Sequence, residues 1–115
     1  MEKQVRTFRD FVIDTLKLIS SESEQLEFEK NVPHVDITVE LVCDWFDDSY
    51  YPGESGFLAE FNDNELEALA HFNKFYDERL DMLPESEGTV QTWLQNEVWK
   101  EIMHEAKSTL EKLKA

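Results

Sequence analysis

Three histidines, one cysteine and a large set of carboxylates are the side chains here that could do chemistry. Glu101 and His104 stand three residues apart, which puts both on one helix face. Di-iron bundles use that spacing, but on two helices and with two further inward glutamates. Here it occurs once, and Glu67 with His71 has a four-residue offset. Both pairs read as solvated surface, because charged groups are seldom buried unpaired. His34 follows Pro33 in an expected loop. Cys43 lies inside an apolar run and reads as a small core residue rather than a nucleophile. A lone cysteine also excludes a disulfide within the chain. Asp44, Asp47 and Asp48 crowd together, yet Gly53 and Glu54 fall in the wrong places for a calcium loop of the EF-hand type. Three glycines cannot build a phosphate-cradling loop, there is no nucleophile elbow, and no carboxylate pair stands out for glycoside hydrolysis. The expectation is a protein that is not an enzyme and uses no metal or cofactor.

Charge carries more information. The net charge is −15. Residues 36–87 hold fifteen of the acidic side chains against Lys74 and Arg79, whereas residues 88–115 are balanced and residues 1–35 nearly so. A field this one-sided repels nucleic acid and anionic membrane and attracts a basic protein surface. Within it, Asp44, Asp47, Asp48, Tyr50, Tyr51, Glu54 and Glu60 combine fixed charge with aromatic anchors, as protein interfaces do. These seven are the expected partner-binding residues. Tyr50 and Tyr51 precede Pro52 in a turn-rich stretch, and loops carry function more often than scaffold does.

The elements that must position them are helical. Val5, Phe8, Val12, Thr15 or Leu16, and Ile19 recur at three- and four-residue steps and predict a helix over 3–20, with Phe11 and Leu18 widening its apolar stripe and Arg6, Arg9, Asp10, Asp14 and Lys17 on the other face. Ser21 or Ser23 caps a short second helix, and Ser21 with Glu24 has capping-box spacing. Leu26, Phe28 and Val32 give that helix apolar contacts, and Pro33 stops it. Residues 35–48 alternate as a strand would, yet Ile37, Leu41 and Trp45 also fall at helical spacing, as do Val35, Val39, Val42 and Phe46. Their length and Asp36 as N-cap favour a helix. Phe57, Leu58 and Phe61 form a short turn on the core. Asn62 or Asp63 caps a helix over 63–83 whose stripe is Leu66, Leu69, Ala70, Phe72 or Asn73, Phe75 or Tyr76, Leu80 and Leu83, with Pro84 ending it and an acidic loop over 85–88. Residues 89–114 make a last helix or a pair broken at Gln95-Asn96. Its buried face holds Val90, Trp93, Leu94, Val98, Ile102, Ala106, Thr109 and Leu113, and Lys107, Lys112 and Lys114 complement its dipole. The expected fold is all-α: one domain over 1–115, a compact bundle of four to five helices, with 35–48 as the one segment that reads nearly as well as a strand. No run approaches the ~18–20 apolar residues of a membrane span, and charges interrupt the first ten residues, so a cytoplasmic protein is expected. The sequence leaves the oligomeric state open, with a monomer favoured.

The run Asp44-Trp45-Phe46-Asp47-Asp48 followed by Tyr51-Pro52 resembles small bacterial immunity proteins of polymorphic toxin systems, including contact-dependent growth inhibition. So do Phe57, Phe61, Glu65-Leu66, Phe72-Asn73, Leu83-Pro84 and the later Trp99, Ala106-Lys107 and Leu110. The resemblance covers roughly residues 38–113. It implies a protein without catalytic residues that binds the toxin domain of its own cell and blocks its active site, with contact positions that vary from toxin to toxin. For a nuclease toxin, the carboxylates would lie where substrate phosphates otherwise sit. The alternative is a DNA mimic of the antirestriction or anti-CRISPR type. Mimicry needs carboxylates at phosphate-like intervals along a long track, whereas the excess here is confined to 36–87. Reversing Asp47 and Asp48 to Lys should weaken binding without unfolding. Normal affinity would move the interface elsewhere, with Asp77, Asp81 and Glu85 as the next acidic set.

Overall fold

Short polar side chains at the helix starts set most of the boundaries, because each satisfies a backbone N–H left open in the first turn. The computed structural model of the chain describes residues 7–32, 36–83 and 89–113. Thr7 caps α1 (Phe8–Ser20): its hydroxyl accepts the Asp10 N–H and the Asp10 carboxylate accepts the Thr7 N–H, each at 3.1 Å. The helix expected from residue 3 therefore starts after Thr7, while Val5 and Arg6 lie outside the described residues. Ser21 caps α2 (Glu22–Asn31) through the Glu24 N–H, at the spacing read from the sequence. Pro33, His34 and Val35 lie outside the described residues.

Residues 37–46 are helical, as α3 (Ile37–Phe46), with Asp36 accepting the Thr38 N–H at 3.1 Å. The strand pattern loses to the helical one at Val39. A strand would bury it on the same face as Ile37 and Leu41, but Val39 is 40% exposed while Ile37, Leu41 and Trp45 are buried at four-residue steps. Within α4 (Ser55–Leu58) Phe57 is buried while Leu58, expected to pack on the core, is 40% exposed, and Phe61 after it is buried.

Asn62 and Glu65 form a full capping box for α5 (Asp63–Arg79), which gives way to a 3-10 turn over Leu80–Met82. Its inner face carries Glu65, Ala68, Leu69, Phe72 and Tyr76, so the small residue inside is Ala68 and not the expected Ala70. The last segment breaks at Gln95-Asn96 into α6 (Val90–Leu94) and α7 (Glu97–Leu113), where Asn96 accepts the Trp99 N–H at 3.0 Å. Trp99, left out of the expected stripe, is fully buried, and Val98 beside it is only partly so. Pro84, the 85–88 loop and Lys114 lie outside the described residues.

The described residues thus form seven α-helices and one 3-10 turn without a strand, in place of four to five longer helices. α7 is the spine, packed along α1 on one side and α5 on the other. Trp45, Trp99, Tyr76, Phe57 and Phe72 are the largest fully buried side chains of the core, each worth roughly 1.5–3 kcal/mol of transfer free energy. Among the described residues no helix is long and apolar enough to cross a membrane.

Candidate functional site

Three backbone bonds close the C-terminal end of α3 and fix the acidic turn that follows. The N–H groups of Asp47 and Asp48 donate to the Cys43 carbonyl at 2.8 and 3.2 Å, and that of Tyr50 donates to the Trp45 carbonyl at 3.2 Å. Ser49 is buried in this turn, and its hydroxyl shares a 2.7 Å hydrogen bond with Thr15 on α1. That bond pins the turn against α1.

The seven expected contact residues separate under this geometry. Tyr50 is not a free contact. Its ring stacks on Trp45 with centroids 5.1 Å apart and planes 11° apart, meets Phe57 edge-on, and lies half-buried, which pushes its phenol above the usual range. Tyr51 leans on Phe8 at 5.7 Å and donates its hydroxyl to the Asp47 carbonyl at 2.6 Å. These two tyrosines hold the loop onto the core. Glu60 also turns inward: its carboxylate accepts the Arg9 N–H at 2.9 Å and its carbonyl accepts a guanidinium N–H at 3.2 Å. Asp47, Asp48 and Glu54 are exposed. Asp47 also accepts the Cys43 thiol, whose pKa is raised by burial, by that bond and by the surrounding acids, so the sulfur is a poor nucleophile.

Asp44 and Asp48 line a groove of about 520 Å³ between α1 and the end of α3, together with Phe11, Asp14, Thr15, Leu18 and Ser49. None of these lining residues is basic. Phe11, expected within the buried stripe, is 43% exposed here. Asp14 was legible as an outer-face residue of the first helix, but its place beside Asp44 was not. The available signal was the spacing of Phe11, Asp14 and Leu18, one helical strip lying off the Val12, Leu16, Ile19 core face.

Asp44 is the most perturbed acid of the groove. Burial, then the nearby charges of Glu40 and Asp48, push its carboxyl up to about 6. Glu40, Asp44 and Asp48 follow one another at four-residue spacing, so the crowding is written into the sequence. A raised carboxyl favours the fold while it keeps its proton. That contribution is fully present below the ordinary Asp range and is lost as pH rises through about 6, so ionised Asp44 weighs against the free fold at neutral pH.

Among the described residues, His71 and His104 form no comparable site. His71 is exposed and its Nε2 lies 3.7 Å from Glu105 of α7 rather than pairing with Glu67. Glu101 receives Arg79 Nε at 3.4 Å, and that guanidinium lies over the Phe75 ring. Among the described residues no three His, Cys, Asp or Glu side chains are grouped to hold a metal ion. A second hollow of about 230 Å³, lined by Thr38, Val39, Val42, Cys43, Leu80, Leu83 and Trp93, carries no acidic or basic side chain. Comparison with family models, with curated proteins and with solved structures finds no match to this chain.

Proposed function

We propose that the protein is an immunity protein that acts in the cytoplasm as a monomer and neutralises a cognate toxin domain, a nuclease with a basic substrate cleft, by docking on the acidic face around the α1–α3 groove. The observation that carries this reading is the groove itself, where the exposed ring of Phe11 and the side chain of Leu18 meet Asp14, Asp44 and Asp48. Such a hollow suits arginine: the guanidinium can stack on an aromatic face while its fork bonds a carboxylate in bidentate fashion. A nuclease's substrate cleft presents cationic side chains of this kind to phosphate, and carboxylates placed there compete with substrate. The hollow is local, which favours occlusion of one cleft over mimicry of a long duplex track.

The test is co-expression with the C-terminal toxin fragment encoded next to this gene. A stable complex and protection of the cells are expected. In the same complex, Asp47→Lys combined with Asp48→Lys should weaken affinity by about tenfold or more, roughly 1.4 kcal/mol, with the helical circular dichroism retained. Both carboxylates are exposed, so replacing them leaves the buried core untouched. Unchanged affinity would move the interface to the Asp77 and Asp81 end of α5, since Glu85 lies outside the described residues. Failure to form a complex would sink the proposal.

A further inference from the structure

We infer that the hollow between α3, the 3-10 turn and α6 binds a small neutral ring compound carrying one hydrogen-bond acceptor, which pairs with the indole N–H of Trp93. The inference stands apart from the basic-partner reading above. Trp93 is 3% exposed, and its Nε1 is the one buried side-chain nitrogen or oxygen among the described residues that has no hydrogen-bond partner. The other two tryptophans are also buried, but both are paired. Trp45 Nε1 donates to Asn73 Oδ1 and Trp99 Nε1 donates to Gln25 Oε1, each at 3.1 Å. The fold thus supplies an acceptor to two indoles and withholds one from the indole that lines the hollow. A buried donor left unpaired opposes folding, and native proteins keep few of them.

The wall selects the rest of the ligand. Val39, Val42, Leu80 and Leu83 supply apolar surface, and no lining side chain is acidic or basic, so a charged ligand would lose its hydration without gaining a counter-charge. The other polar groups of the wall already donate elsewhere, the Thr38 hydroxyl to Asp36 and the Cys43 thiol to Asp47. One orphan donor among apolar neighbours suits an acceptor on an apolar body better than a water, which needs about two to four polar partners. The hollow measures about 230 Å³. An apolar cavity of roughly 150 Å³ holds benzene, so one ring with a short acceptor-bearing substituent fits here. Val39 is 40% exposed, and Val42, Cys43, Leu80 and Leu83 are only partly buried, so the outer wall can part to admit the ring. The Trp93 nitrogen is covered until it does.

The experiment follows the indole N–H signals of the whole chain by nitrogen–proton NMR. Acetophenone is the probe, and ethylbenzene, with the same ring and no acceptor, is its control, each added to about 1 mM. Trp93→Phe identifies the Trp93 signal. That signal should move downfield with acetophenone, and by more than those of Trp45 and Trp99. Acetophenone should bind about tenfold tighter than ethylbenzene. In Trp93→Phe the two compounds should bind alike, because the donor is gone and the apolar wall remains. Val39→Phe, at an exposed position, should obstruct the hollow and weaken both compounds by about tenfold or more. An unmoved Trp93 signal would overturn the inference. So would equal affinity for the two compounds in the parent chain, or a preference for acetophenone that survives Trp93→Phe. A Trp93 signal that shifts with protein concentration alone would give the hollow to a second copy of the chain and overturn the small-ligand assignment.

Discussion

Arg9→Ala is expected to cost the fold about 3 kcal/mol and to lower the melting temperature by roughly 10 °C or more. Arg9 ties three parts of the chain together. Its guanidinium donates to both Glu65 oxygens at 3.0 and 2.9 Å, to the Glu60 carbonyl at 3.2 Å and to the Leu113 carbonyl at 2.7 Å. It also lies 5.4 Å from the centre of the Phe61 ring. Through these bonds it holds the start of α1, the approach to α5 and the end of α7. Glu65 is only 6% exposed, so removing the cation leaves a buried carboxylate whose remaining hydrogen bond comes from the Asn62 N–H at 3.0 Å. That asymmetry makes the loss large.

The same pair gives a pH signature. The hydrogen bond from Arg9 holds the Glu65 carboxyl below the usual range. A depressed carboxyl contributes stability that is present above the ordinary Glu range and is lost as pH falls through the folded-state value. Chemical denaturation as a function of pH should show that acid-side loss in the parent chain and much less of it in Arg9→Ala. Arg9→Lys keeps the charge but has no planar fork to span Glu65 and two carbonyls, so it should recover only part of the stability. Near-parent stability in Arg9→Ala would mean the network contributes nothing net.

The second large effect belongs to Gln25. This side chain is fully buried, with Nε2 donating to the Leu18 and Ile19 carbonyls at 3.0 and 2.8 Å and Oε1 accepting the Trp99 indole N–H at 3.1 Å. It closes the end of α1 and locks α2 to α7. Gln25→Ala should cost about 3 kcal/mol, the sum of a cavity and two or three orphaned polar groups. Gln25→Met refills most of the volume without the bonds, so it separates the two causes. If hydrogen bonding dominates, equilibrium unfolding should place Met much nearer to Ala than to the parent. A Met variant as stable as the parent would assign the cost to packing.

These two residues mark where sequence reasoning stopped. Helix starts at Ser21, Asp36, Asn62 and Asn96 were legible because capping is a local chemistry of one side chain and an N–H two or three residues on. Arg9 was placed on the solvent face of its helix because amphipathic periodicity assigns polar residues outward. Its partners Glu60, Glu65 and Leu113 are 51 to 104 positions away, and no local pattern points to them. Gln25 went unassigned for the same reason, since Trp99 is 74 positions away. The candidate site was half legible. Asp47 and Asp48 are exposed in the turn after α3, whereas Asp44 lies half-buried in the last turn of α3 itself. Tyr50, Tyr51 and Glu60 are instead absorbed into the structure, because a loop rich in aromatics beside Trp45, Phe57 and Phe8 gains more by packing than by waiting for a partner. Phe11 moved the opposite way, out of the expected core and onto the groove.

Electrostatic docking of a basic toxin domain on this acidic face, as proposed above, makes association depend on ionic strength. Its most direct test is stopped-flow association with the cognate toxin from about 50 mM to about 500 mM salt. The account predicts an association rate that falls by about tenfold or more across that range, with a dissociation rate that changes far less. An association rate indifferent to salt would contradict it.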